Sequence, residues 1–148
     1  MTPVFVDTSG FYAELDGTDT RHADAKAAFA LVLDRRARLV TTNYIIHESW
    51  AVIQVRLGWD AVDAWLDRIV PKCEIVWISH DIHDLGAARC RQARQRRLSL
   101  SDCVSIEVMR RRRINLAIAF DEHFDREGFR LPSAGDFETE DSAEEGRR

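Results

Sequence analysis

Short, continuous apolar runs recur along the chain and predict the strands of a sheet. The strands are predicted over residues 4–7 and 39–41, over EIVWIS (74–79) and over INLAIAFD (114–121), with GFRLP (128–132) as a last edge strand. Continuous runs, rather than alternating ones, are typical of strands that are buried on both faces, as in parallel sheets.

The segments between these runs carry apolar residues at helical spacing. They predict helices over residues 8–15, 22–36, 43–56, 59–69, 80–96 and 100–113. Thr8 or Ser9 is the expected N-cap of the first helix, and Asn43 that of the third. Strands separated by helices predict an α/β sandwich with a mostly parallel central sheet.

The composition is that of one globular domain. With 148 residues, 45% apolar and 31% charged, the chain is long enough for a single core. No apolar run approaches the roughly 20 residues of a membrane helix, and the start of the chain does not resemble a secretory signal. Cys73, Cys90 and Cys103 match no zinc spacing and predict buried, reduced thiols. These features predict a cytoplasmic protein without a membrane segment.

The net charge of −4 comes from the end of the chain. Residues 133–148 hold six acids and two bases, so residues 1–132 are formally neutral. This contrast predicts a folded domain over 1–132 and an acidic, disordered tail over 133–148. Within the domain, nine arginines lie between Arg89 and Arg113 with only Asp102 and Glu107 to oppose them. That segment is a candidate cationic surface.

Four acids stand out by their context. Asp7 and Asp121 end predicted strands, Glu48 lies in an apolar helical segment, and Asp102 begins a helix. Each has a structural interpretation when it is taken alone. Asp7 is a possible helix cap, Asp102 a first-turn acid, Glu48 part of an exposed stripe and Asp121 a turn residue. Ligands of parallel α/β sheets bind at the carboxyl ends of the strands, where two of these acids are predicted.

Carboxylates that gather at one edge need a cation. Without one they repel each other, and some of them bind protons. Mg²⁺ and Mn²⁺ prefer oxygen ligands and keep bound waters. A carboxylate cluster of this kind can position a water for attack on a phosphodiester. The pattern therefore predicts a metal-dependent hydrolase.

Four motifs carry a resemblance to a known family. VFVDTSGFYA, ESW within a helix, LSLSDCVSIEVM and IAFDEHFDREGF resemble the PIN-domain ribonucleases, and more narrowly the VapC-like toxins of bacterial type II toxin–antitoxin pairs. The resemblance extends from about residue 3 to Pro132. It implies a PIN-like three-layer sandwich with a central sheet of four to five strands. The acids that it implies as metal-binding and catalytic residues are Asp7, Glu48, Asp102 and Asp121, with Asp125 as a further candidate.

The resemblance also implies an activity and partners. Thr8 or Ser9 matches the hydroxyl residue that supports the first acid. The implied activity is endonucleolytic cleavage of RNA by metal-activated water with Mg²⁺ or Mn²⁺, which leaves 5′-phosphate and 3′-hydroxyl ends. The implied partners are a second copy of the chain and a cognate antitoxin. Some of the nine arginines are then expected to contact RNA phosphates.

Two other function classes share features with this sequence. An aspartyl-phosphate phosphotransferase needs a second aspartate two residues after Asp7, where this chain has Ser9, and a late lysine, whereas its lysines are Lys26 and Lys72. A non-catalytic RNA- or partner-binding module that retains the fold is the remaining alternative, and an RNase assay separates it from an enzyme.

The histidines and tryptophans have simpler interpretations. His47 and His123 flank two of the acids and are expected in structural or surface roles. The four tryptophans are expected in the core, although Trp59 and Trp65 are also candidates for a partner surface.

Overall fold

The centre of the molecule is a four-stranded, fully parallel sheet. The computed structural model describes residues 1–138 and 146. The strands are β1 (Pro3–Val6), β2 (Arg38–Thr42), β3 (Cys73–Val76) and β4 (Leu116–Ile118), in the spatial order β3-β2-β1-β4. Val4 of β1 lies opposite Leu39 on one side and Leu116 on the other. Residues 4–6 are completely buried, as their continuous apolar run predicts.

Seven α-helices flank the sheet within the described residues. They are α1 (Thr8–Leu15), α2 (His22–Asp34), α3 (Asn43–Leu57), α4 (Trp59–Ala64), α5 (His80–Ala93), α6 (Leu100–Arg111) and α7 (Glu122–Arg126). A π-helical turn (Trp65–Ile69) and a 3₁₀ turn (Val70–Lys72) continue α4. No helix in residues 1–138 is long and apolar enough to cross a bilayer. The predicted fold class is confirmed.

The predicted fifth strand is reduced to a single bridge. Within this segment, Arg130 alone forms a bridge, with Leu116 of β4, through bonds from Arg130 N to Asn115 O and from Ala117 N to Arg130 O. Pro132 has no backbone N–H to donate, which limits this pairing. The sheet of the described chain therefore has four strands.

Two helices begin where predicted, but their N-caps differ from the residues first expected there. The caps are Asp7 and Thr42 rather than Thr8 or Ser9 and Asn43. The Asp7 carboxylate accepts from Ser9 N, and Thr42 Oγ1 accepts from Ile45 N. The Asn43 side chain instead accepts from Ile78 N at 2.8 Å and joins the start of α3 to the chain beyond β3.

Trp65 belongs to the core and not to a partner surface. Its side chain is fully buried, and its ring packs edge-on against Phe11 with centroids 5.6 Å apart. Trp59, the other candidate, is 57% exposed. Six residues separate the two tryptophans, which is about 240° of rotation in a helix of 3.6 residues per turn, so they lie on different faces.

The first residues of the predicted tail pack on the domain. Phe137 is 1% exposed and joins the hydrophobic core, while the Arg130 guanidinium pairs with the Asp136 carboxylate. Phe137 and the Arg130–Asp136 ion pair thus attach residues 133–137 to the domain. The domain therefore extends beyond the boundary predicted at residue 132. The predicted disorder of 139–145 and 147–148 lies outside the described residues.

Candidate active site

The four acids line one cavity at the carboxyl edge of the sheet. Asp7 follows β1 and Asp121 follows β4, and these strands are neighbours where the strand order reverses. Glu48 lies on α3, which follows β2 directly, and Asp102 lies in the first turn of α6. The cavity has a volume of about 500 Å³. These acids belong to separate sequence motifs, and the topology brings them together.

One carboxylate oxygen of Asp7 accepts hydrogen bonds, and the other has no partner within the described residues. Its Oδ2 accepts from Ser9 N at 3.1 Å and from Ser9 Oγ at 2.7 Å. Its Oδ1 is buried and has no hydrogen-bond partner among residues 1–138, and the residue is only 4% exposed. A buried carboxylate oxygen without a partner is costly. A bound cation would remove this cost, so the donor set fits a metal.

Ser9 and Thr8 hold the framework of the site. Ser9 Oγ also accepts from Phe120 N at 2.9 Å, so it connects the ends of β1 and β4. Thr8 Oγ1 accepts from Ser49 Oγ at 3.0 Å, which ties α1 to the residue after Glu48. Ser9 is therefore the hydroxyl that contacts the first acid, and Thr8 positions the helix that carries the second.

Asp102 and Asp121 are also capping residues. Asp102 Oδ2 accepts from Ser99 N at 3.0 Å in a capping box, and Asp121 Oδ1 accepts from His123 N at 3.1 Å. The structural interpretations of Asp7 as a helix cap and of Asp102 as a first-turn acid are thus correct, and Asp121 is also a helix cap. All three acids line the cavity as well. A cap engages one carboxylate oxygen, and the second oxygen can face a cation.

His123 lies closer to the site than the sequence indicates. It is buried, and one ligand atom from each of Asp102, Asp121 and His123 lies within 4.8 Å of the others. Its Nε2 is 3.2 Å from the Arg97 carbonyl oxygen, which accepts a bond when that nitrogen carries the proton. The ring thereby orders the segment before α6. His47 is exposed, as expected.

The electrostatics of the cavity favour a cation. Burial, which is the largest cause, and the nearby Asp102 and Glu48 carboxylates together raise the pKa of Asp7 to about 7 against the opposing bonds from Ser9. Burial is also the main cause of the raised pKa values of Glu48 and Asp102. Three acids that resist ionisation in one cavity form a site that a divalent ion would stabilise.

Asp125 and most of the nine arginines lie away from this cavity. Asp125 is exposed on α7 and does not line the cavity. Arg89 pairs with Glu107 at 2.9 Å, and Arg112 pairs with Glu74 at 2.8 Å. Arg97 is the member of the segment that lines the cavity. Part of the predicted cationic surface is therefore engaged in ion pairs within the fold.

Two other arginines line the cavity and were missed. Arg21 precedes α2, and Arg56 lies in the last turn of α3. No local motif marks them, because they come from segments far from the acid motifs. Their place at the cavity depends on where the start of α2 and the end of α3 lie in the folded protein, which the sequence alone does not indicate.

The fold and these motifs are those of PIN domains. The PIN domain family matches residues 4–129, and the chain belongs to this family. The resemblance that the motifs indicated is therefore confirmed.

The comparisons also find a characterised relative. Over 127 residues, the chain is 30% identical to the 23S rRNA-specific endonuclease VapC20 of Mycobacterium tuberculosis, in strains CDC 1551 / Oshkosh and ATCC 25618 / H37Rv. The match covers 85% of this chain and 95% of the relative. A crystal structure of M. tuberculosis VapC20, described as a sarcin–ricin loop cleaving toxin, gives a TM-score of 0.74 at the same identity and coverage.

Proposed function

We propose that the protein is a metal-dependent endoribonuclease and the toxin of a bacterial type II toxin–antitoxin pair. The main support for this proposal is that four carboxylates line one cavity. Among them, Asp7 Oδ1 is buried and lacks a partner among the described residues. Membership of the PIN family and the similarity to an endonuclease toxin support it.

Asp7, Glu48, Asp102 and Asp121 are the proposed metal ligands and catalytic residues. Bound Mg²⁺ or Mn²⁺ would supply Lewis-acid activation of the attacking water and of the leaving 3′ oxygen. The protein's part is to hold the carboxylates, through Ser9 at Asp7 and Ser99 at Asp102. Burial of both aspartates keeps bulk water from them.

The hydroxyl groups of the site are occupied by structural bonds. Ser9 Oγ bonds to Asp7 Oδ2 and Phe120 N, and Thr8 Oγ1 bonds to Ser49. These bonds support a positioning role for both hydroxyls, and the proposed reaction uses water and no protein nucleophile. Its expected products carry 5′-phosphate and 3′-hydroxyl ends.

The substrate class is RNA, and ribosomal RNA is the first candidate. The relative is named as specific for 23S rRNA and as cleaving the sarcin–ricin loop. Proteins recognise RNA loops largely through their shape and their unstacked bases. A sarcin–ricin hairpin is therefore the substrate to test first, beside unrelated hairpins of equal length.

Cleavage is expected to depend on the metal and on Glu48. The test incubates these hairpins with wild type, Glu48→Gln and Asp125→Asn in Mg²⁺, in Mn²⁺ and in EDTA. Wild type and Asp125→Asn should cleave with either metal and stop in EDTA, since Asp125 is exposed outside the cavity. Glu48→Gln should be inactive. Cleavage that persists in EDTA would overturn the proposal, and a wild type that binds RNA without cleaving it would indicate a binding module.

We also propose a homodimer, a cognate antitoxin and a cytoplasmic location. Trp77 and Leu85 are large apolar side chains that are 76% and 43% exposed. Trp77 borders a largely apolar cavity of about 700 Å³ that adjoins the acid site at Glu48. Exposed apolar patches of this kind are typical of protein interfaces. Light scattering should give about twice the chain mass of 17.0 kDa, and a monomer at micromolar concentration would count against the dimer.

A further inference from the structure

Two arginines at the rim of the carboxylate cavity are stacked on aromatic rings. The Arg21 guanidinium carbon lies 5.1 Å from the centre of the Phe120 ring, and that of Arg56 lies 5.5 Å from the centre of the Tyr12 ring. All four residues line the cavity. A guanidinium over a ring face still has N–H groups that can point to an anion, although Arg56 also bonds to the Tyr12 hydroxyl.

Both rings are attached to the framework of the site. Tyr12 donates from its hydroxyl to Asp16 Oδ2 at 2.8 Å. The Phe120 backbone N donates to Ser9 Oγ, the same hydroxyl that bonds to Asp7. The rings therefore fix the positions of the two arginines relative to the acids.

A bound metal would offset the negative charge of the cavity lining. Five carboxylates and three arginines line it, which gives a net charge of −2 when all are ionised. One divalent cation makes the lining neutral and a second makes it positive. The three arginines thus lower the electrostatic repulsion between the acids and an approaching polyanion.

We propose that Arg21 and Arg56 bind the RNA phosphates next to the one that is cleaved. The inference rests on the proposed function and adds residues that contact the substrate. RNA affinity comes mainly from such phosphate contacts, and planar guanidiniums form strong paired hydrogen bonds with phosphate oxygens. Arg21 has an exposed contact to Asp24 at 3.4 Å, whereas Arg89 and Arg112 are held in shorter ion pairs.

The test measures binding and turnover separately. Wild type, Arg21→Ala, Arg56→Ala and the control Arg91→Ala are compared; Arg91 is an exposed arginine of α5 outside the cavity. Fluorescence anisotropy in EDTA gives the Kd for an intact hairpin at several salt concentrations. Steady-state cleavage in Mg²⁺ gives KM and kcat, and circular dichroism gives the Tm of each variant.

Each rim variant should bind RNA about 10-fold more weakly, as expected for the loss of a charge-assisted hydrogen bond. The dependence of log Kd on log salt should become shallower by about 0.7 for each lost contact. KM should rise by a similar factor with kcat nearly unchanged. Arg21→Lys and Arg56→Lys should restore the salt dependence and only part of the affinity, because lysine keeps the charge and loses the planar stack.

Three outcomes are informative. Unchanged Kd and KM in both rim variants, with wild-type cleavage, would overturn this inference and leave the proposed function intact. A loss of affinity equal to that of Arg91→Ala would also overturn it, since it would reflect net charge alone. A specific loss of binding in EDTA with no cleavage by wild type would support the phosphate contacts and overturn the nuclease instead.

Discussion

Replacement of Asp7 by asparagine is expected to lower the rate of RNA cleavage by more than about 100-fold. Loss of groups that merely support metal ligands typically costs 10–100-fold, and Asp7 is a proposed ligand with a buried Oδ1 that has no partner within residues 1–138. Asparagine keeps an oxygen that can cap α1 through Ser9 N. The measurement is kcat/KM on the hairpin at saturating Mg²⁺, with Asp125→Asn as the matched control. Equal rates for Asp7→Asn and wild type would contradict the proposed mechanism.

The same substitution should stabilise the metal-free protein above neutral pH. Burial raises the folded-state pKa of Asp7 from 3.8 to about 7. Between these values the folded state holds a proton that the unfolded chain has released, so stability falls as the pH rises from about 4 to 7 and then levels off. The shift corresponds to at most about 4 kcal/mol.

Urea denaturation in EDTA at pH 5 and pH 8 measures this effect. Wild type should be less stable at pH 8 than at pH 5, and Asp7→Asn should reduce the difference. Part of the dependence should remain in the variant, because burial also raises the pKa values of Glu48 and Asp102. A variant with the same pH dependence as wild type would show that Asp7 is ionised in the folded state without a penalty.

Gly10→Ala is expected to destabilise the protein by about 3 kcal/mol, the upper part of the range for overpacking. A Cβ at Gly10 would lie 2.1 Å from the Ile118 carbonyl oxygen. That oxygen accepts from Asp7 N at 3.2 Å, so neither backbone segment can move without separating the ends of β1 and β4. Cleavage should fall as well, because Asp7 and Asp121 follow those two strand ends.

Gly17→Ala is the control for this prediction. A Cβ at Gly17 meets no atom within 4 Å, so its free energy of unfolding should change by less than about 1 kcal/mol. Chemical denaturation compares the two variants with wild type. Equal stability of Gly10→Ala and Gly17→Ala would mean that the contact between α1 and β4 relaxes at little cost.

The features that the sequence predicted well are local ones. The apolar run before Asp7 is a buried strand because residues 4–6 cannot be exposed without loss of hydrophobic free energy. Parallel strands then bring their carboxyl ends to one edge, which is why Asp7 and Asp121 were predicted near each other. Asp102 was singled out because it begins a predicted helix, which is also a local feature.

The features that it missed depend on packing between distant elements. The guanidiniums of Arg21 and Arg56 lie over the rings of Phe120 and Tyr12 at the cavity. No linear motif encodes such pairs. His123 is buried because its ring contacts the segment at Arg97. Trp65 packs in the core against Phe11 of α1, and this contact between separate helices has no local sequence signal.

The location of a bound Mn²⁺ ion tests the central claim most directly. In a crystal of the wild-type protein soaked with MnCl₂ at neutral pH, the anomalous difference map should show a peak in the carboxylate cavity, within coordination distance of Asp7 Oδ1 and of Asp102 or Asp121. The peak should disappear in Asp7→Asn crystals of the same form. A wild-type map without a peak at these carboxylates, or a peak that survives unchanged in Asp7→Asn, would contradict the metal site and the mechanism built on it.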